Sequence, residues 1–212
     1  MMTGKGRLVY VILCGLVVHI VFKMYNLAAT ESGMPIVDSA MRYDEAMGEY
    51  HNDKRLDDSM ALVDVYYYSF DGKLHKGQLL IASPLVEDIR GIFQDILAAG
   101  FPIAKVIPIV KYNWNDDRSV RDNNTSGFNY RVVEGTRRLS DHARGRAVDV
   151  NPYLNPWVKK SGRIYSGSRP YNPEILGTIQ KGDAVWTAFI KRGWKWGGSW
   201  AGSKDYQHFY KK

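Results

Sequence analysis

The chain has 212 residues, 45% hydrophobic and 24% charged, which fits one ordinary folded core and excludes a disordered or low-complexity protein. A net charge of +7 suits an anionic partner, but Arg137-Arg138 and Lys159-Lys160 are isolated basic pairs, so no nucleic-acid partner is expected. The only cysteine is Cys14, which excludes a disulfide framework and thiol catalysis in the folded domain.

Lys5 and Arg7 precede an uncharged, mostly apolar run from Leu8 to Phe22, closed by Lys23. That order of charge and apolarity predicts export, with the rest of the chain facing outward in the cell envelope. Leu27-Ala28-Ala29 places a large residue where a cleavage site prefers a small one. Residues 1–27 are therefore read as a signal peptide or as an N-terminal anchor in the membrane. Leu13-Cys14-Gly15 makes only a poor lipidation site. Residues 28–58 are polar and read as a spacer with one short helix, leaving 59–212 as the folded domain.

Within that domain, Leu62 to Tyr68 is rich in strand formers and ends at the turn signal Asp71-Gly72. His75, just past that turn, is expected to be exposed. Gln78 to Ala82 reads as a second strand. Pro84 opens a helix with Val86, Ile89, Ile92, Phe93, Ile96 and Leu97 on one face, closed by Gly100. Ile103 to Val110 reads as a third strand despite Pro108. Tyr112 to Asn124 is polar and reads as a loop; its Arg118 and Arg121 are either substrate contacts or solvated charges. Phe128 to Arg131 reads as a short strand. Residues 161–173 form a loop whose Tyr165 and Tyr171 could rim a cleft. Asp183 caps a helix from Ala184 to Arg192, and Gly193 ends it. The tryptophans between Trp194 and Trp200 are expected to build the dry wall of a site.

Two stretches carry chemistry. In Ser140-Asp141-His142-Ala143-Arg144-Gly145-Arg146-Ala147-Val148-Asp149, a histidine and a carboxylate stand seven residues apart. Gly145 permits a sharp turn, and Ala147 to Val150 alternates as a strand with Asp149 on the face away from Val148 and Val150. His142 can then fold back beside Asp149, which offers two good zinc ligands. The far end, Asp205-Tyr206-Gln207-His208-Phe209, supplies a candidate third, His208. Two imidazoles and one carboxylate leave a fourth position for water, the arrangement of a catalytic zinc ion. Asp205 could then act as general base without binding metal. Asp141 is either a partner of His142 or a turn cap. Ser140 could bond a backbone group of its own turn or a substrate oxygen.

Ser-x-His-x-x-Gly-x-Ala-x-Asp followed by Asp-x-x-His-Phe resembles the zinc D-alanyl-D-alanine carboxypeptidase family of bacterial cell-wall peptidases, with the L-alanyl-D-glutamate endopeptidases among its relatives. Asn123 to Arg131 and Trp194 to Trp200 resemble further segments of the same family, so the likeness covers roughly residues 60–210. It implies an α+β fold, a small antiparallel sheet carrying the metal ligands with helices packed on one side. It also implies Zn2+ bound by His142, Asp149 and His208, catalysis by Asp205 and Arg131, and peptidoglycan stem peptides as partner. Arg131 would face the oxyanion or a substrate carboxylate; the alternative is a surface ion pair. Ser126, Ser140, Arg118 and Arg121 are candidate substrate contacts. A basic group able to hold a terminal carboxylate favours carboxypeptidase over endopeptidase activity, and a cell-wall-binding module with a structural zinc is the non-catalytic alternative. A monomer is expected.

Overall fold

The computed structural model describes residues 33–165 and 167–212. The segment read as signal or anchor and the site at Cys14 lie outside them. No helix among the described residues is long and apolar enough to cross a membrane.

Ile36–Val37 form strand β1, followed by helix α1 (Tyr43–Met47) and helix α2 (Lys54–Asp57), which Asp53 caps through the Arg55 amide. β2 (Met60–Tyr68) and β3 (Leu74–Ala82) make a nine-residue antiparallel ladder, and β1 pairs parallel to β3, giving the order β1-β3-β2. Val63, Val65 and Tyr67 alternate inward along β2 against exposed Asp64, Tyr66 and Tyr68, the period-two pattern of a half-buried strand. They meet Ile89, Ile92, Phe93 and Ile96 of helix α3 (Val86–Ala98) in the main core. The opposite face of β3 is covered too. Leu80 packs with Met47, Met60 and Phe128, with Tyr50 and Trp114 against them.

The stretch read as a spacer is thus folded into the domain from Ile36 on. Ala46 and Met47 of this stretch are fully buried, while Ile36 and Val37 stay exposed. The preceding residues 38–41 are fastened by Gln78, whose side chain bonds Ser39, the Met41 amide and the Met41 carbonyl. His75 is also not exposed. It is buried beside Asp38, 2.9 Å from the carboxylate, which Tyr67 also bonds.

The chain continues through β4 (Lys105–Val106), helix α4 (Asp116–Arg121), β5 (Asn124–Thr125), β6 (Ala147–Asp149), β7 (Trp157–Val158), helix α5 (Ala184–Ile190), β8 (Lys195–Trp196), β9 (Lys204–Asp205) and β10 (His208–Tyr210). Only two residues of the expected strand 103–110 pair. Pro108 lacks the amide a ladder needs, and Ile109–Tyr112 turn into a 3-10 helix. Phe128 to Arg131 joins no strand. The loop expected over 112–124 contains α4, whose Asn115 cap accepts from the Arg118 amide.

β6, β10 and β8 form a second, antiparallel sheet. One face is apolar: Val148 and Phe209 are cross-strand partners and join the core shared by α3 and α5. Asp149 and His208, the next pair along, carry the site. The whole is α+β, with small sheets and a few helices.

Candidate metal centre

His142 opens a 3-10 turn, His142–Arg144, that ends at Gly145 with φ +60°. A side chain is disfavoured there twice over. The backbone is left-handed, and a Cβ would come within 2.6 Å of the Ala82 nitrogen. The Gly145 carbonyl accepts from that same Ala82 amide, at 2.9 Å, so the turn is seated on the end of β3. Ser140 Oγ accepts from the His142 amide, and the Ser140 amide donates to the Arg131 carbonyl.

The imidazole of His142 is oriented from behind. Its Nδ1 lies 2.6 Å from the carbonyl oxygen of Gly127, which can only accept, so Nδ1 carries the proton and Nε2 presents a lone pair. That lone pair faces Asp149 Oδ2 at 3.1 Å and His208 Nδ1 at 3.2 Å. His208 Nδ1 is in turn 2.9 Å from Asp149 Oδ1. All three residues are buried, and their ligand atoms lie within 4.8 Å of one another.

Three electron-rich atoms this close need a proton or a cation between them. A tetrahedral zinc ion with bonds of about 2.0–2.1 Å has donor–donor edges of about 3.3 Å, close to the separations here. The donor set therefore fits zinc. Without a metal, a proton takes part of that role. Burial disfavours the imidazolium of His142, but Asp149 outweighs it and raises its pKa. Burial likewise opposes the charge on Asp149, and His142 and then His208 outweigh it, holding this carboxyl well below the usual range.

Asp205 stands in the same cavity. Its strand β9 pairs with β7, setting Asp205 opposite Trp157, and a Cβ on Gly197 would come within 2.7 Å of its carbonyl oxygen. Its carboxyl binds none of the three ligand side chains, and Oδ1 is buried without a protein partner. Burial pushes the Asp205 carboxyl up to about 7. A proton acceptor poised near neutrality suits general-base chemistry.

Arg131 also lines this cavity, held by Asp116 at 3.2 Å, while Asn129 donates to the other oxygen of that carboxylate. Ser140 and Asp141 line it as well. Arg118 and Arg121 do not; both are exposed on α4. Ser126 is buried and acts through its backbone, exchanging both amide bonds with Asp149. Trp194 and Trp196 belong to the core, and of the three tryptophans only Trp200 walls the cavity. Asp116 was hidden inside a stretch that reads as a polar loop. Its signal was the Asn115 cap ahead of a charged helical turn.

Residues 134–211 match the family model described as D-alanyl-D-alanine carboxypeptidase. No curated protein and no solved structure matches the chain. The matched segment contains His142, Asp149, Asp205 and His208, so the part of the chain that carries the site is similar to the D-alanyl-D-alanine carboxypeptidase family of peptidases.

Proposed function

We propose that the chain is a zinc-dependent peptidase of peptidoglycan that removes the terminal D-alanine of stem peptides. The observation that carries this is the convergence of His142 Nε2, His208 Nδ1 and the Asp149 carboxylate within a cavity that also holds Asp205. The family match covers all four residues. The net charge of +7 suits an anionic wall, and the basic flank of the apolar run after Arg7 supports export to the compartment where the wall lies.

Zinc, when bound, lowers the pKa of a water molecule and polarises a carbonyl. His142 and His208 supply neutral imidazole nitrogens to it, and Asp149 supplies the charged oxygen. Asp205 accepts the proton from the attacking water as the new C–O bond forms. It returns that proton to the leaving nitrogen as the C–N bond breaks. The Arg131 guanidinium, steadied by Asp116, faces the charge that develops on the carbonyl oxygen.

Arg131 and Arg138 both line the cavity and can hold a substrate carboxylate, which favours carboxypeptidase over endopeptidase action. Asp205 favours an enzyme over a wall-binding module with a structural zinc, because binding has no use for that carboxyl. The test is mass spectrometry of a D-Ala-D-Ala-terminated muropeptide after incubation with zinc-loaded protein. Loss of one alanine, abolished by a chelator, is expected. Hydrolysis undiminished after metal removal overturns the proposal.

A further inference from the structure

Among the described residues, six buried side-chain polar atoms have no hydrogen-bond partner within the protein, and four of them belong to residues lining the metal-facing cavity. Folded proteins rarely leave such atoms unmatched, because each costs the loss of its hydration. Their concentration at one cavity wall marks groups whose partner arrives from outside. Asp205 and Arg131 already have roles there. The other two are the Nε1 of Trp157 and the Oε1 of Gln207.

These two are neighbours of the base by topology. Trp157 is the cross-strand partner of Asp205 in the β7–β9 pair, and Gln207 follows Asp205 by two residues, immediately before His208. Gln207 is only 6% exposed, yet its Oε1 has no partner among the described residues. The ring of Trp157 is packed by Tyr165 at 5.4 Å and by the Lys159 ammonium at 5.3 Å, contacts that leave its N–H unused. One unused donor and one unused acceptor complement a peptide group, which offers one carbonyl and one N–H.

We infer that Trp157 and Gln207 hold the main-chain peptide group that precedes the scissile bond of the substrate, Gln207 Oε1 accepting from its N–H and Trp157 Nε1 donating to its carbonyl. This rests on the peptidase reading and adds to it the determinant that sets the peptide in register. It predicts that these side chains serve the substrate and not the fold.

The experiment measures kcat/KM of zinc-loaded Gln207→Met and Trp157→Phe on a D-Ala-D-Ala-terminated stem peptide, with thermal unfolding alongside. Trp186→Phe is the control, since its Nε1 is equally unpartnered but lies away from the cavity. Each cavity variant is expected to lose about tenfold in kcat/KM, the worth of one net hydrogen bond, with Gln207→Met no less stable than the parent. Trp186→Phe is expected to keep full activity. A substrate whose amide before the scissile bond is replaced by an ester should lose about tenfold with the parent enzyme and nothing further with Gln207→Met. Unchanged kcat/KM in both cavity variants, or a loss that tracks lowered stability in Gln207→Met, overturns the inference while leaving an active parent enzyme as a peptidase. A zinc-loaded parent that cleaves no such peptide overturns the peptidase reading, and the inference falls with it.

Discussion

His142 Nδ1 stands 2.6 Å from the carbonyl oxygen of Gly127, and this one contact decides which nitrogen of the ring faces the site. Gly127 is itself pressed against β3: a Cβ there would lie 2.4 Å from the Leu80 carbonyl oxygen, which accepts from the Phe128 amide. Gly127→Ala must therefore displace the carbonyl that orients His142. Zinc affinity, measured by competition with a chelator, is expected to fall by about 10–100-fold, the usual effect of disturbing a ligand's hydrogen-bond partner.

As the proposed general base, Asp205 would link activity to pH. It must be ionised to accept a proton, so activity is lost as pH falls through its pKa. Burial raises that pKa to about 7 in the metal-free protein, and a divalent cation in the cavity lowers it. The acid limb of kcat/KM in the zinc enzyme is expected below 7. Asp205→Asn is expected to keep bound zinc and lose turnover. Full activity in that variant would remove Asp205 from the role of base.

The same shift has a stability counterpart in the metal-free protein. A carboxyl whose folded pKa is raised holds its proton to higher pH than in the unfolded chain. The Asp205 contribution is therefore intact below the unfolded pKa of about 3.9 and declines until pH passes 7. Urea unfolding of parent and Asp205→Asn at pH 4 and pH 8 should show the parent weakening, relative to the variant, at the higher pH.

Arg131 is tied by a single ion pair to Asp116, which leaves the rest of its guanidinium for the cavity. Arg131→Ala is expected to lower kcat by about 10²–10³-fold, as removal of a donor facing a developing oxyanion does. Asp116→Ala should act in the same direction and less strongly. Steady-state kinetics on the stem peptide checks both.

His75 lies far from this chemistry in sequence and bonds Asp38, joining residues 38–41 to the sheet. His75→Ala leaves a largely buried carboxylate with one partner fewer. It is expected to cost about 1–3 kcal/mol in urea unfolding, with kcat/KM unchanged at a permissive temperature.

The sequence made the site legible where local rules and chemistry agree. The turn at Gly145, the alternation around Asp149 and the capped helices at 86–98 and 184–190 follow from short-range preferences that the fold keeps. What it hid depends on distant partners. Residues 36–58 look like a spacer because they are polar, yet Gln78 satisfies their backbone and Leu80 gives Met47 a surface to bury. His75 looked exposed because Asp38, 37 residues away, could not be paired with it from a turn signal. Arg118 and Arg121 carry the right charge but ride on the outer side of α4, whereas Asp116 of the same helix reaches the cavity. Gln207 gave no sign at all, since a side-chain oxygen without a partner is visible only once its neighbours are known.

The central claim is that His142, Asp149 and His208 share one zinc ion, and X-ray absorption at the zinc edge tests it most directly. The account predicts one tightly held zinc per chain, with two imidazole nitrogens and carboxylate or water oxygens at about 2.0–2.2 Å, and loss of that zinc in His208→Ala. A His208→Ala protein that binds zinc as tightly as the parent, with an unchanged imidazole signal, would contradict it.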